Sequence, residues 1–180
     1  PGAGVGGHCI PKDPWLLIAN AGDGFPARLV PAARAVNDAM PAHIADLVRD
    51  GLAEDGAAVR GAKVAVLGYA YLADSDDDRN SPSADLVARL ESEGARVVVH
   101  DPWVQRFRDR ALDDVVADAD AVVVMVAHTA YRSIDLGALR SLVRRPVLVD
   151  GRRALDPVAA RAAGWTLRTV GIGSRAPSGE

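Results

Sequence analysis

The sequence predicts an α/β fold in which helices cover both faces of a parallel sheet. After residue 62, five short valine-rich runs alternate with stretches of helical periodicity. Each run is apolar over several consecutive positions, which indicates a strand buried on both faces, as in parallel sheets packed between helices. Residues 62–175 are therefore predicted to form a Rossmann-like unit.

The individual elements of this unit follow from the same alternation. The predicted strands are "KVAVLGYAY", "RVVVHDPWV", "AVVVMVAH", "PVLVD" and "TLRTVGIG", and the helices between them are "SADLVARLESEG", "LDDVVADAD", "IDLGALRSLV" and "DPVAARAAG". Ser81 and Pro82 supply an N-cap and a first helical residue for the first of these helices, and Gly94 supplies its end.

A different pattern precedes the sheet. Apolar residues at a 3.6-residue spacing predict one long amphipathic helix over 27–55, which Pro41 should kink. Asp13 followed by proline predicts the start of a shorter helix, with Asp13 as N-cap and an end at Gly22. The segment "DGAAVRGA" is the predicted boundary between domains 1–60 and 61–180.

The opening segment "PGAGVGGHCIPKDP" allows two interpretations. Gly2, Gly4 and Gly7 fit the pattern G-x-G-x-x-G, but a dinucleotide loop is expected to follow a strand and to open a helix at its last glycine. Here Cys9, the only cysteine of the sequence, follows the glycines instead. We therefore expect a loop that holds a cysteine rather than a dinucleotide.

The surroundings of Cys9 favour a reactive thiol. His8, Lys12 and a nearby helix N-terminus each favour the thiolate, and glycine N–H groups can stabilise an oxyanion on a carbon bonded to sulfur. From these residues alone, a small buried cysteine beside a turn is an equally good interpretation. For Asp13, local sequence favours a helix cap over a catalytic role.

Composition excludes several classes of protein. A net charge of −3 argues against a general nucleic-acid surface, and no stretch approaches the ~20 apolar residues that span a bilayer. A single cysteine and no visible leader fit a reducing cytoplasm, and no metal ligand set is predicted. Because the first residue is proline, we expect a piece of a longer protein.

Several segments resemble the UDP-glucose/GDP-mannose dehydrogenase family of nucleotide-sugar 6-dehydrogenases. "GVGGHCIPKDPWLL" is similar to its nucleophile loop, and "ARAVNDAMP" is similar to its central dimerisation helix. Residues 64–104 resemble the start of its C-terminal UDP-sugar-binding domain, and "VLVDGRRALD" and "GIGS" resemble that domain's last strands. The histidine before Cys9 and the segment "VNDAMP" are most similar to the branch that oxidises UDP-N-acetylhexosamines.

The resemblance implies a mechanism with NAD as cofactor. The sugar C6 alcohol is oxidised to an aldehyde, which Cys9 captures as a thiohemiacetal; a second oxidation gives a thioester that water hydrolyses to the uronate. Asp13 would assist proton transfer or orient the water, and Gly6 would offer its backbone to the sugar. Cys9 through Lys12 would lie beside the nicotinamide.

The resemblance also assigns residues of the C-terminal half. Tyr71 and Leu72 correspond to a substrate-contacting pair that is usually aromatic–lysine. Arg79 falls where an arginine reaches NAD, and Arg152 falls where one reaches the UDP-sugar; a guanidinium fork suits phosphate oxygens in both roles. Leucine in place of lysine at position 72 would cost about 1.5–3 kcal/mol of binding.

The resemblance implies that the complete protein is an enzyme, that it needs a further N-terminal NAD domain, and that it dimerises through the 27–55 helix. The first alternative is a non-catalytic UDP-sugar-binding or dimerisation module, for which Leu72 is the main argument. The second is an unrelated cysteine hydrolase, which would need a base paired with Cys9; only His8 is adjacent in sequence.

Overall fold

Five parallel strands form the centre of the molecule, and the computed structural model describes residues 2–22 and 26–171 around them. The strands lie in the order β2-β1-β3-β4-β5. Their bounds are β1 Lys63–Leu67, β2 Arg96–His100, β3 Ala121–Val124, β4 Val147–Asp150 and β5 Thr166–Thr169. Each neighbouring pair is parallel. The predicted α/β fold with a Rossmann-like parallel sheet is therefore confirmed.

The continuous apolar runs match the burial of the strands. Every residue of β1, β3 and β4 is buried, whereas the edge strands β2 and β5 are only partly covered. The last predicted run continues beyond residue 171, and that part, with most of "GIGS", lies outside the described residues.

Eight helices are described around this sheet. Their bounds are α1 Asp13–Asn20, α2 Leu29–Asp38, α3 Met40–Glu54, α4 Pro82–Ser92, α5 Leu112–Val116, α6 Thr129–Arg132, α7 Leu136–Leu142 and α8 Pro157–Ala162. α3 and α4 pack on one face of the sheet through residues such as Ile44 and Leu86, and α5, α7 and α8 pack on the other, where Leu139 is central.

The start and end of α4 confirm the predicted signals. The Ser81 hydroxyl accepts a hydrogen bond from the Ser83 N–H at 3.1 Å, and Pro82 is the first helical residue. Gly94 follows the helix with a φ of 93°, a left-handed conformation that costs glycine little. α4 therefore begins directly after the loop that leaves β1.

The helix predicted over 27–55 with a kink at Pro41 is two helices in the structure. α2 and α3 are separated by the single residue Ala39, immediately before Met40 and Pro41. Proline has no N–H for the preceding turn, and its ring crowds that turn, which accounts for the interruption. α3 buries its apolar face against the sheet, whereas α2 buries none of its residues among the described parts of the chain.

The cap predicted at Asp13 is wrong. α1 begins at Asp13 itself, Lys12 occupies the N-cap position, and no side chain caps the helix. Gly22 has a φ of 76° just beyond the end of the helix, as predicted. α1 buries none of its residues, and its Leu16 and Leu17 side chains are exposed.

The strand order indicates where along the sheet a ligand is expected to bind. In open parallel sheets, ligands bind outside the carboxyl ends of the strands where the chain reverses its direction of winding. Here that point lies between β1 and β3.

Among the described residues, no helix is both long and apolar enough to cross a bilayer.

Candidate functional site

The glycine-rich opening segment lies across the carboxyl edge of the sheet. We call residues 2–13 the cysteine loop. A Cβ placed on Gly151, directly after β4, would lie 3.0 Å from the Ala3 Cβ and 3.1 Å from the Val124 carbonyl oxygen. Ala3 is fully buried. The loop therefore packs against the ends of β3 and β4 as part of the core.

Arg152 ties the cysteine loop to this edge. Its Nε donates to the Met125 carbonyl and its Nη2 donates to the Gly4 carbonyl, both at 2.7 Å. Its own N–H donates to the buried Asp150 carboxylate at 2.9 Å. Burial lowers the pKa of Arg152 because the charged form loses solvation. Two guanidinium nitrogens are thus already engaged with the protein's own backbone.

A second attachment comes from α2. The side-chain oxygen of Asn37 accepts from the Val5 N–H at 2.9 Å, and its amide nitrogen donates to the Val5 carbonyl at 3.3 Å. One side chain therefore satisfies both backbone groups of Val5, much as a neighbouring strand would. This pair fixes α2 to the cysteine loop.

A third attachment comes from residues 69–80, which we call the β1–α4 loop. The Gly7 N–H donates to the Arg79 carbonyl at 2.9 Å, and the Asn80 side chain donates to the Gly7 carbonyl at 3.0 Å. The two bonds hold both backbone groups of Gly7. The cysteine loop is thus held from three separate parts of the fold.

Glycine is required in the cysteine loop because the β1–α4 loop packs directly against its backbone. A Cβ on Gly6 would lie 2.3 Å from the Asn80 carbonyl oxygen, and one on Gly7 would lie 2.9 Å from the Tyr71 ring. Gly7 also has a φ of 90°. The space that a pyrophosphate would occupy beside these glycines is filled by the β1–α4 loop, so the expected cysteine loop fits better than a dinucleotide cradle.

Cys9 lies at the exposed end of the fastened segment. Its Sγ is 3.9 Å from the Nδ1 of His8, and its carbonyl accepts from the N–H groups of Lys12 and Asp13 at 3.0 and 2.8 Å. This tight turn places the thiol immediately before the first turn of α1. The interpretation of Cys9 as a small buried residue is wrong, because the exposed thiol is free to meet a ligand.

Lys12 and Asp13 form an exposed ion pair next to this thiol. The Lys12 Nζ is 2.6 Å from the Asp13 carboxylate. Its hydrogen bond lowers the pKa of Asp13, to which the nearby Cys9 also contributes, and the same bond raises the pKa of Lys12. Asp13 is therefore ionised at neutral pH, in the form that can accept a proton.

Arg79 is exposed and held by Asp77. Its Nε donates to the two carboxylate oxygens of Asp77 at 2.9 and 3.1 Å. This bond lowers the pKa of Asp77 to about 2 and raises that of Arg79, with a small contribution from Cys9. Arg79 thus lies within electrostatic reach of the thiol. An anionic ligand that binds the Arg79 guanidinium must therefore compete with the Asp77 carboxylate.

The two remaining predicted residues lie on the β1–α4 loop. Tyr71 is half-buried with its ring against Gly7, so it supports the cysteine loop directly. Leu72 is 55% exposed, and its side chain is free to face a ligand. The structure therefore brings Gly6 and Tyr71 into contact, and it joins Arg152 to Gly4 and the Arg79 carbonyl to Gly7.

Sequence reasoning missed the residues that hold the loop. Asn37 and Asn80 were not singled out because an asparagine in a helical or turn segment has many structural uses. Asn80 has a φ of 50°, a conformation that asparagine tolerates better than most residues. Only the fold shows that the Asn37 side chain bonds to Val5 and the Asn80 side chain to Gly7, both in the segment before Cys9.

The fold and the loop together define a parallel α/β protein with a cysteine presented at its ligand edge. Residues 65–157 match the UDP binding domain of the UDP-glucose/GDP-mannose dehydrogenase family, and residues 1–39 match the central domain of that family. The chain belongs to this family.

Individual relatives agree with this assignment. The chain is 36% identical over 173 residues to the UDP-N-acetyl-D-mannosamine dehydrogenase of Pyrococcus horikoshii, covering 96% of this chain and 40% of the relative. A solved structure of the UDP-D-ManNAc dehydrogenase from that organism superposes with a TM-score of 0.89 at 35% identity, over 97% of this chain and 40% of that one. An NDP-N-acetyl-D-galactosaminuronic acid dehydrogenase from Methanosarcina mazei gives the same TM-score and coverage at 36% identity.

The chain spans about 40% of the length of these relatives. It corresponds to their C-terminal portion, since it carries the UDP binding domain and an adjoining part of the central domain.

The pairing of Arg79 with Asp77 has a pH signature. In Arg79→Ala, we expect the Asp77 pKa to rise from about 2 toward the ordinary value of about 3.9. Because folding lowers this pKa, the pair stabilises the protein above the unfolded pKa, and that contribution is lost as pH falls toward the folded value. A carbon-detected NMR titration of the Asp77 carboxyl measures the shift.

Arg106→Ala is the matched control, because Arg106 pairs with the neighbouring Asp78. An unchanged Asp77 pKa in Arg79→Ala, or an equal rise in Arg106→Ala, would contradict the pairing.

Proposed function

We propose that this chain is the C-terminal portion of an NAD-dependent nucleotide-sugar 6-dehydrogenase. The complete enzyme would oxidise the C6 alcohol of a UDP-N-acetylhexosamine, or of a UDP-hexose, to the uronate. One observation carries the proposal. Cys9 is an exposed thiol on a loop whose glycines are fastened to the carboxyl edge of a parallel sheet, in a chain of the matching family.

Cys9 is the proposed nucleophile. Its sulfur would add to the aldehyde carbon at C6, the aldehyde oxygen taking a proton to complete the thiohemiacetal. Loss of a hydride from that carbon and of the hydroxyl proton gives a thioester. Water then cleaves the C–S bond, releases the uronate and returns the thiol. The fixed backbone of the loop supports this role because the C–S bond persists from the addition to the hydrolysis, so the sulfur must hold the C6 carbon in one place through both steps.

Asp13 is the proposed proton acceptor. Its carboxylate is exposed and lies near the thiol, and the Lys12 hydrogen bond lowers its pKa, which keeps it ionised while making it a weaker base. It could take the proton from Cys9 or from the hydrolytic water. Lys12 would hold Asp13 in this form and add positive charge beside the developing oxyanion.

The cations around Cys9 fit an anionic cofactor on the solvent side of the loop. Lys12 and Arg79 are exposed and lie near the thiol. We propose that Cys9 through Lys12 line the nicotinamide end of NAD and that Arg79 pairs with a phosphate. Bound NAD would supply the hydride acceptor for both oxidations.

The nucleotide sugar is assigned to the β1–α4 loop and to Arg152. Gly6, Tyr71 and Leu72 are proposed to line the sugar side, and the remaining nitrogen of Arg152, Nη1, would face the diphosphate. Leu72 cannot provide the charge of a lysine, so the diphosphate would depend more heavily on Arg152. The two relatives described above are dehydrogenases of N-acetylated sugar nucleotides, which favours an N-acetylhexosamine over glucose here.

Calorimetry tests this assignment on the chain itself. We expect UDP and UDP-N-acetylglucosamine to bind, and Arg152→Ala to weaken both by about tenfold or more, the cost of a charged hydrogen bond. Asn37→Ala is the matched control, because it releases the same loop without removing a cation. Arg161→Ala, on the exposed face of α8, controls for net charge.

The outcomes separate the roles of Arg152. Equal weakening by Asn37→Ala would mean that loop position, and not the guanidinium, sets the affinity. No binding at millimolar ligand would contradict the assignment of the site to a UDP-sugar.

A homodimer through α2 is the second part of the proposal. Leu29 and Val36 lie seven residues apart on one helical face and are 80% and 67% exposed. α3, the other half of the predicted dimer helix, buries its apolar face on the sheet instead. We therefore assign the interface to α2 and the exposed apolar side of α1.

A cytoplasmic location stays a prediction.

Sedimentation at tens of micromolar tests this interface. We expect the wild-type chain to sediment as a dimer and Leu29→Asp with Val36→Asp to sediment as a monomer, because two buried charges oppose association. Val158→Asp, at an exposed valine of α8, should leave the dimer intact. A wild-type monomer, or dissociation by Val158→Asp alone, would contradict the interface.

A further inference from the structure

A fully buried histidine connects the β1–α4 loop to the sheet edge. His128 follows β3 and has no exposed surface. Its Nδ1 accepts from the Asp74 N–H at 2.8 Å, and its Nε2 is 3.1 Å from the Asp101 carboxylate. Since Nδ1 accepts, the ring proton is on Nε2 and is donated to Asp101. The imidazole thus joins two loops through two directional bonds.

Asp101 extends this connection. It is fully buried at the end of β2, and besides His128 it accepts from four backbone N–H groups: those of Tyr69, Ala70, Trp103 and Val104. Burial alone would raise the pKa of Asp101, but the bonds from His128 and the backbone outweigh it and lower this pKa. The carboxylate is therefore a permanently charged anchor for the beginning of the β1–α4 loop.

The bond from His128 reaches the loop at a residue with left-handed backbone. Asp74 has a φ of 55°, a conformation that few residues with side chains adopt, although aspartate and asparagine tolerate it better than most. Its N–H is held by His128, and its carboxylate accepts from the N–H and hydroxyl of Thr129 at 2.9 and 2.6 Å. Such a conformation persists only where surrounding bonds impose it.

The β1–α4 loop passes this constraint on to the cysteine loop. The Tyr71 N–H donates to the Asp77 carbonyl at 3.0 Å, which closes the loop on itself. Its far end then supplies Arg79 and Asn80, the two partners of Gly7, while the Tyr71 ring packs on the same glycine. A continuous set of contacts therefore links His128 to the residue two positions before Cys9.

We propose that His128 and Asp101 are positioning residues that fix the cysteine loop through the β1–α4 loop. Both residues reach the cysteine loop only by way of the β1–α4 loop. Their importance for catalysis rests on the proposed function, whereas the hydrogen-bonded path itself is present in this chain. No substrate is needed to test it.

Amide variants of His128 separate its two bonds. In His128→Asn the side-chain oxygen occupies roughly the place of Nδ1 and keeps the bond to Asp74; in His128→Gln the amide nitrogen occupies roughly the place of Nε2 and keeps the bond to Asp101. His128→Phe removes both bonds. The three variants therefore compare partial rescue with complete loss.

Hydrogen exchange of single amides, followed by NMR, gives the test. We expect the Gly7 and Tyr71 amides to exchange about tenfold faster in His128→Phe and His128→Gln, the effect of losing one buried hydrogen bond, and less so in His128→Asn. The Val5 amide is the internal reference, because Asn37 holds it independently of the β1–α4 loop.

Tyr131→Phe is the matched control for a merely destabilised core. Tyr131 is buried beside His128, and its hydroxyl hydrogen-bonds to the Nδ1 and to the carbonyl of His100, not to Asp74. We expect it to leave the Gly7 amide unchanged relative to Val5. Equal acceleration of Gly7 in Tyr131→Phe, or no acceleration in His128→Gln, would overturn the proposal. If His128→Phe fails to fold, the Asn and Gln variants still decide.

Discussion

The fit between the cysteine loop and the β1–α4 loop is the constraint on which the site depends. Gly6 and Gly7 lie so close to Asn80 and Tyr71 that no side chain can be accommodated, and both backbone groups of Gly7 are bonded across the contact. Arg152 and Asn37 hold the same loop from two other directions. The exposed thiol of Cys9 is therefore carried by backbone that the sheet, α2 and the β1–α4 loop fix together.

The sheet and most of its helices were predictable because their signals are local. Unbroken apolar runs can be satisfied only between two layers, and Ser81, Pro82 and Gly94 act on their own helix. The 27–55 helix was predicted as one element because its periodicity continues through Pro41, whose missing N–H interrupts the helix. The Asp13 cap failed because α1 already begins at Asp13, whose carboxylate pairs with Lys12.

The sequence suggests candidate residues for the site, but not how they are connected. Cys9, Arg79 and Arg152 stand out through motif and charge, and the pair of Arg79 with Asp77 is local, since the two residues are neighbours in sequence. Nothing local indicates that Arg152 binds the Gly4 carbonyl or that Asn80 binds the Gly7 carbonyl. These two bonds join positions far apart in sequence, and only the fold brings them together. The opening glycines illustrate the difference: their pattern suggests a phosphate cradle, whereas packing assigns them to the protein's own loops.

The central claim is that this fastened loop presents Cys9 to the C6 carbon of a nucleotide sugar. The most direct measurement is a carbon-13 NMR spectrum of the chain at equilibrium with the C6 aldehyde of UDP-N-acetylglucosamine labelled at C6, because a thiohemiacetal forms reversibly and must be observed in place. The account predicts a thiohemiacetal carbon signal in the wild-type chain that is absent in Cys9→Ser. No such signal in the wild-type chain, or the same signal in Cys9→Ser, would contradict it.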